Sequence, residues 1–279
     1  GDAAGACPAE FRGCGEGWRF TLSSIPSTIQ RAGLGDLVSL LRPTQWVKNV
    51  VVFAAPAASL KLFSPESVLQ AVAAFVAFCL AASATYCMND TLDRRADALH
   101  PVKKDRPIAR GAISPVTAVM LAMLLLALSI GVTLVMLPGG VTAVIATYFA
   151  MQILYSAALK KRIILDVIII ATGFVLRAWA GSLAVGVPAS EWLIACMFTL
   201  CLFMGFGKRR CEVAMMASAE DARQHRKVLV RYTPDLLTHL ITVSAGIAII
   251  TFLLYTLDTG VKAPFHKEHL FFTLPIVVY

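Results

Sequence analysis

The chain has 279 residues, of which 58% are hydrophobic and only 15% charged, with a mean hydropathy of +0.73. A water-soluble domain carries about 25% charged residues, so these proportions exclude one and call for an integral membrane protein with several spans. The formal net charge of +8 speaks to topology and to anionic lipids or substrates; membrane lipids are expected partners and nucleic acid is not.

Residues 1–30 are rich in Gly, Ala, Ser and Cys and contain no sustained apolar run. They lack the apolar core of a signal peptide, and residues 1–40 read as a flexible leader ahead of a transmembrane domain, 41–279. Apolar runs then follow in order: Trp46–Phe63, interrupted by Pro56; Val68–Met88; Val116–Leu137, closed by Pro138-Gly139-Gly140; Val141–Leu159; Ile163–Leu183; Trp192–Gly207; Leu236–Leu257. About 20 residues span the hydrocarbon, so most of these qualify and the first and sixth are marginal. An eighth run begins near Leu270 and reaches Tyr279 after about 15 Å, half a bilayer, so the natural chain is expected to continue. The fold class is all-α, a polytopic transmembrane helical bundle with about eight helices visible.

The 25 Lys and Arg residues fix an orientation. Arg12, Arg19, Arg31 and Arg42 precede the first run, with Lys48 at its mouth. Arg94, Arg95, Lys103, Lys104, Arg106 and Arg110 follow the second, Lys160, Lys161 and Arg162 the fourth, and Lys208, Arg209, Arg210, Arg223, Arg226, Lys227 and Arg231 the sixth. The alternate connections hold only Lys61, Lys262 and Lys267. The positive-inside rule therefore places the N-terminus and the basic connections on the cytoplasmic side, in a multi-pass protein of the inner (plasma) membrane. Of seven cysteines, four (Cys79, Cys87, Cys196, Cys201) lie within apolar runs and none forms a Cys-x-x-Cys pair, so reduced, packing cysteines are expected.

The chemistry concentrates at Asn89-Asp90-Thr91-Leu92-Asp93-Arg94-Arg95-Ala96-Asp97, directly after the uncharged run 68–88. Asn89, Asp93 and Asp97 recur at i, i+4, i+8, with Asp90 three residues from Asp93, so one helix face is expected to carry an amide and three carboxylates. Oxygen ligands gathered at one side suit a hard cation such as Mg²⁺; a solvated helix end with the acids paired to Arg94 and Arg95 is the competing reading.

Lys103, Lys104, Arg106 and Arg110 follow in a turn punctuated by His100-Pro101, Pro107 and Gly111. Carboxylates for a metal on one side and Lys/Arg on the other is an arrangement that grips a diphosphate. Tyr155, Lys160 and Asp166 bracket the next basic connection. Arg177 lies eleven residues past Asp166, about 16 Å further into the membrane, where a cation calls for a functional or paired role: a lipid phosphate or a carboxylate from another helix. Lys208, Arg209, Arg210 and Glu212 follow Gly207 at the end of the sixth run without the spacing of a phosphate-binding P-loop.

These residues resemble the UbiA superfamily of intramembrane prenyltransferases, whose first aspartate-rich motif is Asn89-Asp-x-x-Asp93-x-x-x-Asp97. Arg42-Pro-x-Gln-Trp-x-Lys-Asn49, Lys103-x-x-Arg-Pro107, Tyr155-Ser-x-x-Leu-Lys160, Leu165-Asp-Val, Gly173-Phe-Val-Leu-Arg177-Ala and Gly207-Lys-Arg-Arg-x-Glu212 resemble its decaprenyl-phosphate 5-phosphoribosyltransferase branch. The resemblance implies a nine-helix bundle and an Mg²⁺-dependent transferase of cell-wall arabinan precursor synthesis. Such an enzyme moves phosphoribose from phosphoribosyl diphosphate to a polyprenyl phosphate and releases diphosphate. It implies metal ligation by Asn89 and Asp93 with Asp90 or Asp97, catalytic roles for Asp90, Asp93, Lys48 and Arg177, and donor phosphates on Lys103, Arg106 and Lys160. Lys48 and Arg177 would hold the lipid phosphate, and Asn49, Tyr86, Tyr155, Asp166, Lys208, Arg209, Arg210 and Glu212 would add substrate contacts.

The superfamily's second Asp-x-x-x-Asp motif is missing, with Asp166 standing alone in its place, which argues against the alternative of a prenyl diphosphate donor and an aromatic or polar acceptor. A transporter would spread charge along an interior path, whereas here charge collects at one face. Monomer and homo-oligomer both remain open.

Overall fold

A computed structural model of the chain describes residues 33–59, 63–216 and 232–257. The leader up to residue 32, Cys7, Cys14, Lys61, the basic residues 223–231, His225, His266, His269, the eighth run and the expected continuation past Tyr279 lie outside the described residues. Within them every regular element is helical and there is no strand, as expected where the bilayer offers no water to peptide groups and each segment must bond its own.

Helix α1 (Leu34–Leu41) leads into a 3₁₀ helix, Pro43–Phe53, and a short α2, Ala54–Ala58. Then come α3 (Pro65–Ala98), α4 (Pro115–Met136), α5 (Gly139–Ala157), α6 (Leu165–Ala184), α7 (Glu191–Met216) and α8 (Pro234–Leu257). Helices α3 to α8 are six elements long and apolar enough to cross a membrane, and the chain is an integral membrane protein.

The first apolar run departs from its expected form. Instead of one α-helix over 46–63, the chain makes an 11-residue 3₁₀ thread and a 5-residue α-helix. The β-branched Val50, Val51 and Val52 are poor α formers. The thread also lies tightly against α6: a Cβ on Gly181 would sit 1.8 Å from the Val52 carbonyl oxygen. Trp46 Nε1 donates to Ser83 Oγ at 3.1 Å, and that hydroxyl donates to the Leu41 carbonyl at 2.9 Å, fastening the thread to α3.

Helix α3 has 34 residues, about 51 Å against a hydrocarbon core of roughly 30 Å. Its last turns, which carry Asn89 to Asp97, therefore project beyond the apolar layer as continuous helix. Its buried positions are largely alanine, among them Ala71, Ala74, Ala77, Ala81 and Ala84. Small side chains let helix backbones approach closely where no hydrophobic effect drives helices together, and α3 packs against α4, α5, α6 and the 3₁₀ thread.

Pro138-Gly139-Gly140 does not form a loop. Only Leu137 and Pro138 separate α4 from α5, which opens on Gly139. Likewise α7 does not stop at Gly207 but runs to Met216. The flexibility cost of glycine is accepted at Gly205, where a Cβ would meet Val167 Cγ1 at 2.4 Å and hold α6 and α7 apart. The described cysteines, Cys79, Cys87, Cys196, Cys201 and Cys211, are all free thiols.

Candidate active site

A cavity of about 240 Å³ opens among α3, α5 and the two basic turns. It is lined by Arg42, Thr85, Tyr86, Asn89, Asp93, Lys103, Arg106, Gln152, Tyr155, Ser156 and Lys160. The volume lies just below the roughly 300–1,000 Å³ of drug-sized ligand sites, and the lining is rich in cations, so it suits a compact anionic ligand better than a lipid tail. A second, apolar cavity of about 390 Å³ lies between α6 and α7, lined by Thr172, Val175, Glu191, Ile194, Ala195 and Phe198.

The acid motif divides into two pairs. Asn89 and Asp93 face the cavity, whereas Asp90 and Asp97 are both 3% exposed and face the basic turn. Arg42 donates to both Asp90 oxygens, at 2.6 and 2.8 Å. One Arg106 nitrogen donates to Asp90 at 3.0 Å and to Asp97 at 2.7 Å, and Lys103 approaches Asp97 at 4.0 Å. The expected single face of Asn89, Asp93 and Asp97 is therefore corrected. Eight residues carry a position about 80° round a helix of 3.6 residues per turn, while seven carry it only about 20°, so Asp97 aligns with Asp90. The acids take Arg42, Lys103, Arg106 and Lys160 as partners, not Arg94 and Arg95, which are exposed.

Lys160 reaches across the cavity to hydrogen-bond Asp93, 67 residues away in sequence. The turn bearing it, a 3₁₀ helix over Leu159–Lys161, follows α5 after the single residue Ala158, and Lys103 of the Lys103–Asp105 turn lines the same cavity. His100 Nδ1 accepts from the Val102 and Lys103 amides at 3.2 and 3.4 Å, shaping the chain as it leaves α3.

Asn89 and Asp93 offer an amide and a carboxylate oxygen into the cavity, and among the described residues no group of three His, Cys, Asp or Glu could hold a metal unaided. That donor set fits Mg²⁺, which takes one or two carboxylates and completes its octahedron with water and substrate phosphates. Asp90 and Asp97 fit such a site less well, because both are buried against Arg42 and Arg106 and neither lines the cavity.

Several expected site residues lie elsewhere. Arg177 is 6% exposed; among the described residues it hydrogen-bonds no carboxylate, and it does not line the cavity at Asn89 and Asp93. Its Nε donates to Asn49 Oδ1 at 2.7 Å, and its two terminal nitrogens donate to the Gly173 carbonyl at 2.7 Å and the Tyr148 hydroxyl at 2.9 Å. The rings of Tyr148, Phe174 and Phe78 surround it, with centroids 4.7, 5.6 and 5.8 Å from Cζ. Neutral oxygens and π-faces satisfy the cation, which explains its tolerance at this depth. Asn49 is fully buried in that contact and also donates to Cys79 Sγ at 3.2 Å.

Lys48 is exposed and lies among the cations Arg177, Lys208 and Arg42, outside the cavity lining. Asp166, Arg209 and Glu212 bind one another: Arg209 Nε donates to Asp166 at 2.9 Å and another Arg209 nitrogen to Glu212 at 2.6 Å. Lys208 and Arg210 are exposed on α7.

Sequence reasoning missed Arg42 as a wall of the site, and with it Thr85, Gln152 and Ser156. Arg42 lies over the Tyr86 ring, 5.0 Å from its centroid. The signal for Gln152 was present: Tyr148, Gln152 and Tyr155 recur at i, i+4, i+7 along a helix that carries no charge, a polar stripe on one face.

A model of the UbiA prenyltransferase family matches residues 50–278. The chain is 37% identical over 225 residues to a decaprenyl-phosphate phosphoribosyltransferase of Corynebacterium glutamicum, spanning 80% of this chain and 67% of that one. It is 36% identical over 229 residues to the Mycobacterium tuberculosis protein of the same name, spanning 81% and 75%. The fold is similar to that of a UbiA homolog from Archaeoglobus fulgidus bound to DMAPP and Mg²⁺, with a TM-score of 0.67, 20% identity, and 87% and 83% of the two chains covered.

Proposed function

We propose a function from one premise: the chain belongs to the UbiA prenyltransferase family, and its cavity is a phosphoribosyl-transfer site. The enzyme transfers 5-phosphoribose from phosphoribosyl diphosphate to a polyprenyl phosphate of the decaprenyl type and releases diphosphate. The carrying observation is that one small cavity joins Asn89 and Asp93 of α3 to Lys103, Arg106 and Lys160 from two separate turns. A diphosphate needs both kinds of partner at once. The names of the relatives from C. glutamicum and M. tuberculosis agree with this reading.

Lys103, Arg106 and Lys160 bind the donor phosphates and hold ribose C1 in position. Bound Mg²⁺, held by Asn89 and Asp93, would supply charge neutralisation to the departing diphosphate. The bond from C1 to the diphosphate oxygen breaks with its electron pair leaving on diphosphate, while an oxygen of the lipid phosphate bonds to C1. That oxygen is already anionic, so no side chain need remove a proton. Positive charge develops on the ribose, and fixed charges around the cavity stabilise it without reorganising. Tyr86 and Tyr155 line the cavity and limit water, the competing nucleophile. Lys48, in its group of cations, meets the lipid phosphate at the membrane surface. Arg177 acts behind it by holding Asn49. The product is a precursor for cell-wall arabinan, made at the cytoplasmic face of the plasma membrane with the N-terminus inside, as the distribution of Lys and Arg supports.

The test is incubation of purified protein with labelled phosphoribosyl diphosphate, Mg²⁺ and polyprenyl phosphates of several lengths. A labelled lipid is the expected result. Turnover of a prenyl diphosphate with indifference to phosphoribosyl diphosphate would overturn the proposal.

A further inference from the structure

Asp166 lies in the first turn of α6 and is 3% exposed. It accepts from Arg209 of α7 at 2.9 Å and from the Tyr232 hydroxyl at 2.9 Å. That hydroxyl, two residues before α8, in turn accepts from the Ile164 amide at 2.6 Å. Tyr232 is itself 3% exposed and Arg209 5%. The start of α6, the body of α7 and the approach to α8 thus meet on one carboxylate, and neither Asp166, Arg209 nor Tyr232 lines the cavity.

What these residues hold is an unusual piece of chain. Ile164 has φ 67° and ψ −48°, and the Leu165 amide donates to the Ile163 carbonyl at 2.7 Å. This is the positive-φ γ-turn, a rare conformation that β-branched residues avoid. Such a turn persists only where its surroundings over-determine it, and here the Tyr232 oxygen captures the amide at its centre. Four residues earlier stands Lys160, in a turn closed by the Arg162 amide donating to the Leu159 carbonyl at 2.9 Å. Arg209 also lies within electrostatic reach of Tyr155, a cavity residue.

We infer that Tyr232, through Asp166 and the Ile164 turn, is a positioning residue that fixes Lys160 over the cavity. The inference rests on Lys160 binding the donor diphosphate as proposed above. Tyr232 touches no substrate and works by leaving Lys160 only one approach to the site. The sequence order supports this: the rigid turn lies in the one connection that carries a cavity lysine between α5 and α6.

The experiment is a double-mutant cycle on the full chain in detergent, measuring KM for phosphoribosyl diphosphate and kcat in wild type, Y232F, K160M and the double variant. Y232F is expected to raise donor KM about tenfold with kcat within about twofold, the mark of lost binding geometry. In the K160M background the same change should move KM by less than about twofold, because the lysine being positioned is gone. A Y232F enzyme with unchanged donor KM, or a full multiplicative effect in the double variant, overturns the positioning role. K160M with unchanged donor KM removes the reading of Lys160 and the positioning role with it. Should Y232F fail to accumulate, I164P tests the turn from its other side, because proline fixes φ near −65° and removes the amide that Tyr232 holds: a donor KM rise that disappears in K160M sustains the proposal, and an unchanged KM sinks it.

Discussion

Arg42 donates from a single guanidinium nitrogen to both oxygens of Asp90, at 2.6 and 2.8 Å. The contact joins the residue after α1 to the acid motif 48 residues on. Arg42 itself has left-handed backbone, φ 52° and ψ 60°, which turns the chain from α1 into the 3₁₀ thread. Replacing it with Gln leaves Asp90 buried with Arg106 alone. Removing one partner of a buried pair costs roughly 3–5 kcal/mol; because Arg42 is partly exposed and Arg106 remains, a loss of about 1–2 kcal/mol is expected, read as a lower midpoint of thermal unfolding in detergent. An unchanged midpoint would show that the pair adds nothing to stability.

Asp93 and Asp97 should fail differently. Asp93→Asn removes the cavity carboxylate, and Mg²⁺-dependent diphosphate release should fall by about 10²-fold or more with little change in unfolding temperature. Asp97→Asn weakens the Arg106 and Lys103 contacts and should lower stability by about 2 kcal/mol, with a smaller loss of turnover. Near-normal activity of Asp93→Asn with Mg²⁺ would remove the metal assignment.

The contact of α6 with the 3₁₀ thread leaves no room for a methyl group at Gly181, where a Cβ would lie 1.8 Å from a carbonyl oxygen. Gly181→Ala should therefore force the elements apart and lose more than about 3 kcal/mol, seen as lost monodisperse protein in size-exclusion chromatography. Gly207→Ala is the contrasting case. Nothing lies within 4 Å of its Cβ, so better helix propensity should leave stability equal or raised by up to about 1 kcal/mol.

Burial, above all, pushes the Tyr232 phenol up to about 12 from an ordinary value near 10. A raised folded pKa means that the folded state keeps a proton the unfolded chain releases. The associated stability is complete below about pH 10 and is lost as pH rises to about 12. Unfolding followed against pH should show this alkaline loss in wild type and a shallower one in Y232F. Identical profiles would mean that Tyr232 does not titrate in this window.

Arg177→Lys tests the buried cation. Lysine cannot donate in a fork to Asn49, Gly173 and Tyr148 together, nor stack among three rings. The variant should be less stable, and Asn49→Ala should add little further loss in that background, because the two residues share one contact. Fully additive losses would show that they act independently.

Much of this protein was legible in its sequence for reasons that are local. Six of the apolar runs are close to membrane length, and bilayer thickness alone dictates that they become helices. The Asn89–Asp97 motif is helical because α3 continues without a breaker until the His100-Pro101 step, and the basic turns were legible from their prolines. Composition alone settled the membrane class.

What sequence spacing could not decide was which partner each charge would choose. Asp90 and Asp97 turn to Arg42 and Arg106, leaving Asn89 and Asp93 to the cavity. Asp166 turns to Arg209 and Tyr232, and Arg177 to Asn49 and Tyr148. Those pairings span 9 to 128 residues, and they depend on how closely the helices approach, which Gly181, Gly205 and the alanines of α3 determine. A charge in a low-dielectric interior takes the partner that packing brings within about 3 Å, and only the assembled bundle specifies which one that is.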